Sequence, residues 1–190
     1  MDNAYYFADE TGSHSGGRYF LVAGVALSKY RLWVKDELEQ AERASGKGKQ
    51  DWKGTRHVPH RVNYIERVLA MENLRGTFFY AEYTNNRKEY WAYTVEALVL
   101  AITRFGKDRH NIVRHQGLNF KSRQKLKQAL ARSGYSIEIQ SGSERRAEIR
   151  LADALSGYLG LVRHNSGSRS AADFPNVPEW VVNLKNEAPS

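Results

Sequence analysis

Cysteine is absent from these 190 residues. That excludes disulfides, thiolate metal sites and a cysteine nucleophile, and it is compatible with a reducing cytoplasm. Long apolar runs are missing too. No stretch approaches 18 uninterrupted apolar residues, and no basic segment leads into one at the N-terminus, so neither a membrane span nor a secretory signal is expected. The expectation is a soluble cytoplasmic protein. Proline is scarce, and three of its four copies lie beyond Phe174. From His164 onward the composition turns loop-like, so residues 164–190 are read as a C-terminal extension, either an extended strap or a partly disordered tail. Residues 1–163 are read as one domain, large enough at 41% hydrophobic to bury a single core. Internal repeats and low-complexity tracts are absent.

Acidic residues are also in deficit. Asp and Glu number 21 against 29 Lys and Arg, for a net charge of +8 and a pI near 9.7. The excess is local: from Arg104 to Arg132, nine Lys or Arg residues face one acid, Asp108. Within KSRQKLKQALAR, helical spacing puts Lys121, Lys125 and Gln128 on one side and Arg123 with Lys127 on another, while Leu126 and Leu130 point inward. One basic helix is more often a solvated face than a binding surface. With so high a pI, and with Trp52 and several tyrosines in loops able to stack on bases, nucleic acid becomes the expected partner. Too little apolar surface accompanies the cations for membrane insertion.

Hydrophobic periodicity predicts the order strand, strand, helix, helix, strand, helix, strand, helix, strand, helix. The helices are Arg31–Ala44, Pro59–Glu72, Arg87–Phe105, Lys121–Ala131 and the segment from Ile149 to Val162. This alternation is that of an α/β layered domain with a mixed sheet. SGKGKQDWKGTR, with its glycines and lysines, reads as a mobile loop near a substrate. GSHSGG joins two strands rather than a strand and a helix, which excludes a nucleotide-binding P-loop. His57 and His60, in HVPH, read as residues of a helix start, and His14 as an exposed loop histidine. Serines and histidines are scattered, and no Ser-His-Asp arrangement assembles from them.

Two features carry chemistry. The first is ADETG, Ala8 to Gly12, at the end of a strand begun by Tyr5, Tyr6 and Phe7. Alternation places Asp9 on the face of Tyr5 and Phe7, and Glu10 on the face of Tyr6 and Ala8, so only one of the two should point into a given site. The second is IRLADALSGYLGLV, in which Ile149, Ala152, Leu155, Leu159 and Val162 recur at helical spacing. Asp153 borders that apolar stripe. Gly157 and Gly160 each cost a helix roughly 1 kcal/mol relative to alanine, which predicts close approach to a sheet or another helix. The alternative for Asp153 is a surface pairing with Arg146 or Arg150.

The DE(S/T)G opening and the LADxxSG helix resemble an uncharacterised bacterial domain family placed among the RNase H-like folds, over about Tyr5 to Val162. The resemblance implies an RNase H-like mixed sheet flanked by helices, with Asp9 and Asp153 in the first-strand and late-helix acidic positions, a role for Lys53 of DWKG, and Mg²⁺ or Mn²⁺ as cofactor. One departure stands out. Where family members often carry an aspartate at a strand end, this chain reads NIVRHQG, with Arg114, His115 and Gln116. Two aspartates alone make a weak Mg²⁺ site, so Glu82, Glu10, Glu144 and Glu148 are candidates for a third carboxylate, and His115 would favour Mn²⁺. The implied function is a metal-dependent nuclease, with Asp9, Glu10, Asp153 and Lys53 at the chemistry and Lys121, Arg123 and Lys125 on the nucleic acid. The alternatives are a catalytically silent nucleic-acid-binding or scaffold module, or a toxin-like or defence-associated component. The last would act with a partner protein, docked through Trp180, Val181 and Val182; a second copy of the chain is also compatible. No motif reads bases or 2′-hydroxyls, so DNA, RNA and hybrid are all admitted.

Overall fold

The alternating pattern forms a six-stranded mixed sheet with helices on both faces. A computed structural model describes residues 2–12, 19–28, 32–84, 90–164 and 169–186; His14 and the GSHSGG loop beyond Gly12 lie outside them. In chain order come β1 (Asn3–Thr11), β2 (Phe20–Leu27), α1 (Leu32–Ser45), α2 (Val58–Leu69), β3 (Phe78–Tyr83), α3 (Tyr90–Phe105) and β4 (His110–His115). These are followed by α4 (Phe120–Arg132), β5 (Ser136–Ser141), α5 (Ala147–His164), the short α6 (Arg169–Ala172) and β6 (Val182–Asn183). The ten elements expected up to His164 are present in order.

The strands lie in the order β5-β4-β1-β2-β3-β6. β2 runs antiparallel to β1 and β3, while β4 is parallel to β1 and β5 is parallel to β4. β1, β3, β4 and β5 therefore all end on one edge of the sheet. Asp9 and Glu10 stand on that edge. The near-continuous apolar run of β2 fits its place: all eight residues are buried, as expected of a strand covered on both faces. One layer packs Phe7, Leu21 and Val25 against α1, α2 and α5. The other packs Tyr6, Val22 and Val113 against α3 and α4.

The glycines of α5 are explained by contact. A Cβ on Gly157 would lie 2.4 Å from Trp52 Cδ1, and one on Gly160 would lie 2.7 Å from Thr11 Cγ2. α5 thus lies directly against the end of β1 and the loop that carries Trp52. Gly157→Ala should cost about 1–3 kcal/mol, because the overpacking outweighs the gain in helix propensity; urea unfolding checks this, and undiminished stability would mean that Trp52 does not need the glycine.

Two expectations are corrected here. The segment from Ser45 to Arg56 is pinned rather than loose: Ser45, Lys47, Trp52 and Thr55 are buried, and the Lys47 ammonium donates to the Gln50 carbonyl and Glu42. Trp52, 8% exposed, packs near Phe174 and under the Arg61 guanidinium, so its ring is not offered to bases. The described part of the tail joins the core. β6 pairs with β3, Phe174, Val181 and Leu184 are buried, and the Tyr158 hydroxyl donates to the Pro175 carbonyl at 2.9 Å. Trp180 packs on Phe78 and Val182 pairs with Phe79, so Trp180, Val181 and Val182 are engaged by the chain's own fold.

Candidate active site

Asp9 follows Phe7 by two residues and shares its face of the sheet, the face crossed by α5. The approach of α5 at Gly157 and Gly160 brings Asp153, from its second turn, beside Asp9, close enough for each carboxyl group to act on the other. Asp153 Oδ2 also accepts the backbone N–H of Trp52. Of the two arginines offered as surface partners, Arg150 turns away to Glu42. Burial, reinforced by the charges of Glu10 and Asp153, pushes the Asp9 carboxyl up to about 7. The Asp153 carboxyl is also raised, chiefly by burial and further by the charge of Asp51, with the Trp52 amide opposing. Two acids held this way share one proton near neutrality and repel each other when it leaves.

Glu10 points to the opposite face, as alternation requires, and meets His115. The parallel pairing of β1 with β4 sets Ala8 beside His115, and His115 Nε2 lies 2.9 Å from Glu10 Oε2. The contact is out of line, and neither atom has a hydrogen bond of good geometry among the described residues. His115 is 2% exposed, and its Nδ1 accepts the Gly117 N–H at 2.9 Å. The neutral ring therefore carries its proton on Nε2, toward Glu10. A metal on Nε2 would have to displace that proton while Nδ1 stayed occupied by the amide, whereas ligating histidines ordinarily donate from their other nitrogen. The geometry thus argues against His115 as a manganese ligand.

Both carboxylates nevertheless reach one cavity, because it lies over the end of the strand. The cleft, about 740 Å³, is lined by Asp9, Glu10, Asp51, Lys53, Glu144 and Asp153 together with Thr11, Tyr19, Trp52, Gln116, Gly117 and part of α5. The expectation that only one of Asp9 and Glu10 faces the site gives way to this end-on arrangement. Lys53 stands exposed on the rim, while the charge of Arg150 is engaged by Glu42. Five carboxylates gathered here, in a protein of net charge +8, make the cleft a local negative pole.

Other candidates lie elsewhere. Glu82 is outside the lining, on β3, where it accepts from Arg163 Nε at 2.7 Å and lies 3.0 Å from His164 Nε2. Glu144 lines the cleft and accepts from Gln116 at 2.9 Å. Glu148 is fully buried, away from the lining, with neither carboxylate oxygen paired among the described residues. On α4, Arg123 is tied down, donating to the Leu118 carbonyl and the Ser141 hydroxyl; Lys121 is exposed and Lys125 lies over the Trp91 ring. The sequence reading missed Asp51, although it is the first residue of DWKG, and the Tyr19–His164 stack at the cleft, with ring centroids 3.7 Å apart. No local pattern announces either.

Among the described residues, no three of His, Asp and Glu group closely enough to hold a metal. The Asp9–Asp153 pair, raised chiefly by burial, still fits an ion that keeps several of its waters and takes one or two carboxylates along with substrate phosphates, the usual habit of Mg²⁺. Mn²⁺ suits the same oxygen donors.

No protein-family model and no curated protein matches the sequence. Among solved structures, the chain is similar to one in the PCNA:RNase HII complex from Archaeoglobus fulgidus, at 14% identity over 94% of this chain and 84% of that one, with a TM-score of 0.50. The likeness is one of fold. The chain is a single α/β domain of RNase H-like fold, a mixed sheet flanked by helices. The resemblance to the bacterial domain family rests on its motifs alone. No helix among the described residues is long and apolar enough to cross a membrane.

Proposed function

We propose that the protein is a divalent-metal-dependent nuclease that hydrolyses phosphodiester bonds in nucleic acid. The observation that carries this reading is the Asp9–Asp153 pair, two neighbouring buried carboxyl groups that line one cleft where β1 ends. Asp9 and Asp153 would hold the ion, giving up their shared proton as it binds. When bound, the ion supplies a water of lowered pKa and stabilises charge on the phosphoryl oxygens. Glu10, the third carboxylate of the cleft, lies beside His115 and would act as general base at the phosphate. Lys53, on the rim, neutralises the phosphate, and the basic face of α4 orients the strand. The fold analogy supports this chemistry without establishing it.

The test is a cleavage panel of single- and double-stranded DNA, RNA and hybrid, each with Mg²⁺, Mn²⁺ or EDTA. Cutting that requires the metal is expected, and salt-sensitive binding without cutting would overturn the nuclease. That second result belongs to a catalytically silent nucleic-acid-binding module, a reading favoured by His115 standing where family members often carry an aspartate.

The same pair predicts a pH dependence. Asp9 is raised in the folded state from 3.8 to about 7, so between those values the native protein holds a proton that the unfolded chain has released. Its stability should be greatest below about pH 4 with respect to this group and fall as pH rises toward 7, by roughly 4 kcal/mol. Saturating Mg²⁺ or Mn²⁺ should reverse the fall, since an ion that binds only the native state stabilises it. Thermal melts at pH 5 and 8, with metal and with EDTA, read both effects; identical melting with and without metal at pH 8 would count against the site.

A further inference from the structure

Phe120 is the one large hydrophobic side chain standing exposed among the described residues, at 78%. It opens α4, whose start is fixed by Asn119: its side chain accepts the Ser122 N–H at 2.9 Å and the Ser122 hydroxyl at 3.0 Å. Leu126 and Leu130, fully buried, seat the inner face of the helix. The outer face then presents Lys121 and Lys125, one turn apart. The Lys125 ammonium lies 4.0 Å from the centre of the Trp91 ring, so a second aromatic backs the cations. α4 carries five Lys or Arg residues and no acid.

This face adjoins the cleft. Gln116 and Gly117 line the cavity, and Phe120 is three residues beyond, within about 10 Å along the chain. Arg123 braces the connection, donating from Nε to the Leu118 carbonyl at 2.8 Å and from Nη2 to the Ser141 hydroxyl at 3.0 Å. Its role is to hold the loop that joins cleft and helix, and the phosphate-facing cations are Lys121 and Lys125. An exposed aromatic beside a cationic stripe matches what an unpaired strand offers, namely phosphates on one side and open base faces on the other. A duplex hides its base faces within the stack, so it would meet the lysines and leave the ring unused.

We infer that Phe120, with Lys121 and Lys125, forms a binding surface for single-stranded nucleic acid leading into the cleft, the ring stacking on a base and the ammonium groups on phosphates. The inference rests on the nucleic-acid reading of the cleft and does not need cleavage. Its experiment is fluorescence anisotropy in EDTA across a salt series, using labelled oligothymidylate, oligouridylate and a short DNA duplex. Phe120→Ala should weaken single-strand binding roughly 10- to 100-fold while leaving the slope of affinity against salt unchanged, and Phe120→Trp should restore it. Lys121→Gln and Lys125→Gln should each reduce that slope by about one. Duplex binding should not respond to Phe120→Ala.

Equal affinity in wild type and Phe120→Ala overturns the inference. So does a preference for duplex, an absence of nucleic-acid binding, or a sedimentation shift showing that Phe120 instead joins two copies of the chain. Exposure of Phe120 makes misfolding an unsuitable explanation for a loss, and circular dichroism of each variant checks it. If the protein binds single strands through Phe120 but cuts nothing with any metal, this surface stands and the nuclease falls; if it cuts and Phe120→Ala binds normally, the surface falls and the nuclease stands.

Discussion

Asp9→Asn is expected to abolish cleavage, by more than about 10³-fold as for loss of a group central to transition-state stabilisation, and to make the metal-free protein more stable at pH 8. The two effects share one cause. Asp9 and Asp153 are pressed together by the packing of α5 on β1, and burial raises both. At pH 8 they are held in a state that repels. An amide at position 9 removes one charge and can donate to Asp153, so it relieves roughly 1–3 kcal/mol, a rise of a few degrees in melting temperature for a chain of this length. Mg²⁺ or Mn²⁺ should then add nothing further. Asp153→Asn should also abolish cleavage, with a smaller gain because the Trp52 amide already favours the Asp153 carboxylate. Calorimetry and cleavage on the same preparations decide the matter. An active Asp9→Asn variant, still stabilised by metal, would remove the pair from the chemistry; an inactive variant that is less stable than wild type would make it a structural contact instead.

Glu42→Ala is expected to give the largest loss of stability. Glu42, Arg150 and Lys47 are all buried. Arg150 grips Glu42 with two hydrogen bonds, Nε to Oε1 at 2.6 Å and Nη2 to Oε2 at 2.7 Å, and its Nη1 donates to the Glu144 carbonyl at 2.6 Å. Lys47 lies 3.4 Å from the same carboxylate, and its ammonium faces the Tyr64 ring at 4.8 Å. Burial lowers the Lys47 pKa, with Glu42 opposing. Truncating Glu42 strands two cations in the core, at a cost of about 3–5 kcal/mol, which is on the order of 10 °C in melting temperature. The cleft should suffer too, since Lys47 and Arg150 hold the backbone of Gln50 and Glu144 on either side of it. By contrast Glu72→Ala, which removes an exposed pair with Arg75, should change stability by less than about 0.5 kcal/mol. Replacing Glu42, Lys47 and Arg150 together by apolar residues should be milder than Glu42→Ala alone, because no buried charge is left over. Chemical denaturation of the three variants measures the difference, and a Glu42→Ala protein as stable as wild type would show that the network is not paired as described.

The elements were legible because their signals are local. The strand formers Tyr5, Tyr6 and Phe7 before a turn set β1, the apolar run of FLVAGVAL set β2, and a period of 3.6 set α5, while Gly157 and Gly160 announced a close approach without saying to what. Asp9 at a strand end and Asp153 at the border of a buried face were likewise read from neighbours a few residues away. What the sequence could not show was how distant segments meet. Ser45 to Arg56 has the composition of a mobile loop, yet it is held by Glu42 and by Trp52 seated on a glycine of α5 more than one hundred positions later. Glu82 looked available until Arg163 and His164 were brought to it. Glu10 and His115 meet only because β4 lies parallel to β1 in one register. Patterning of side chains along a strand or helix is fixed by backbone geometry and can be read in sequence order; the partner of each buried charge is chosen by packing, which depends on the whole chain at once.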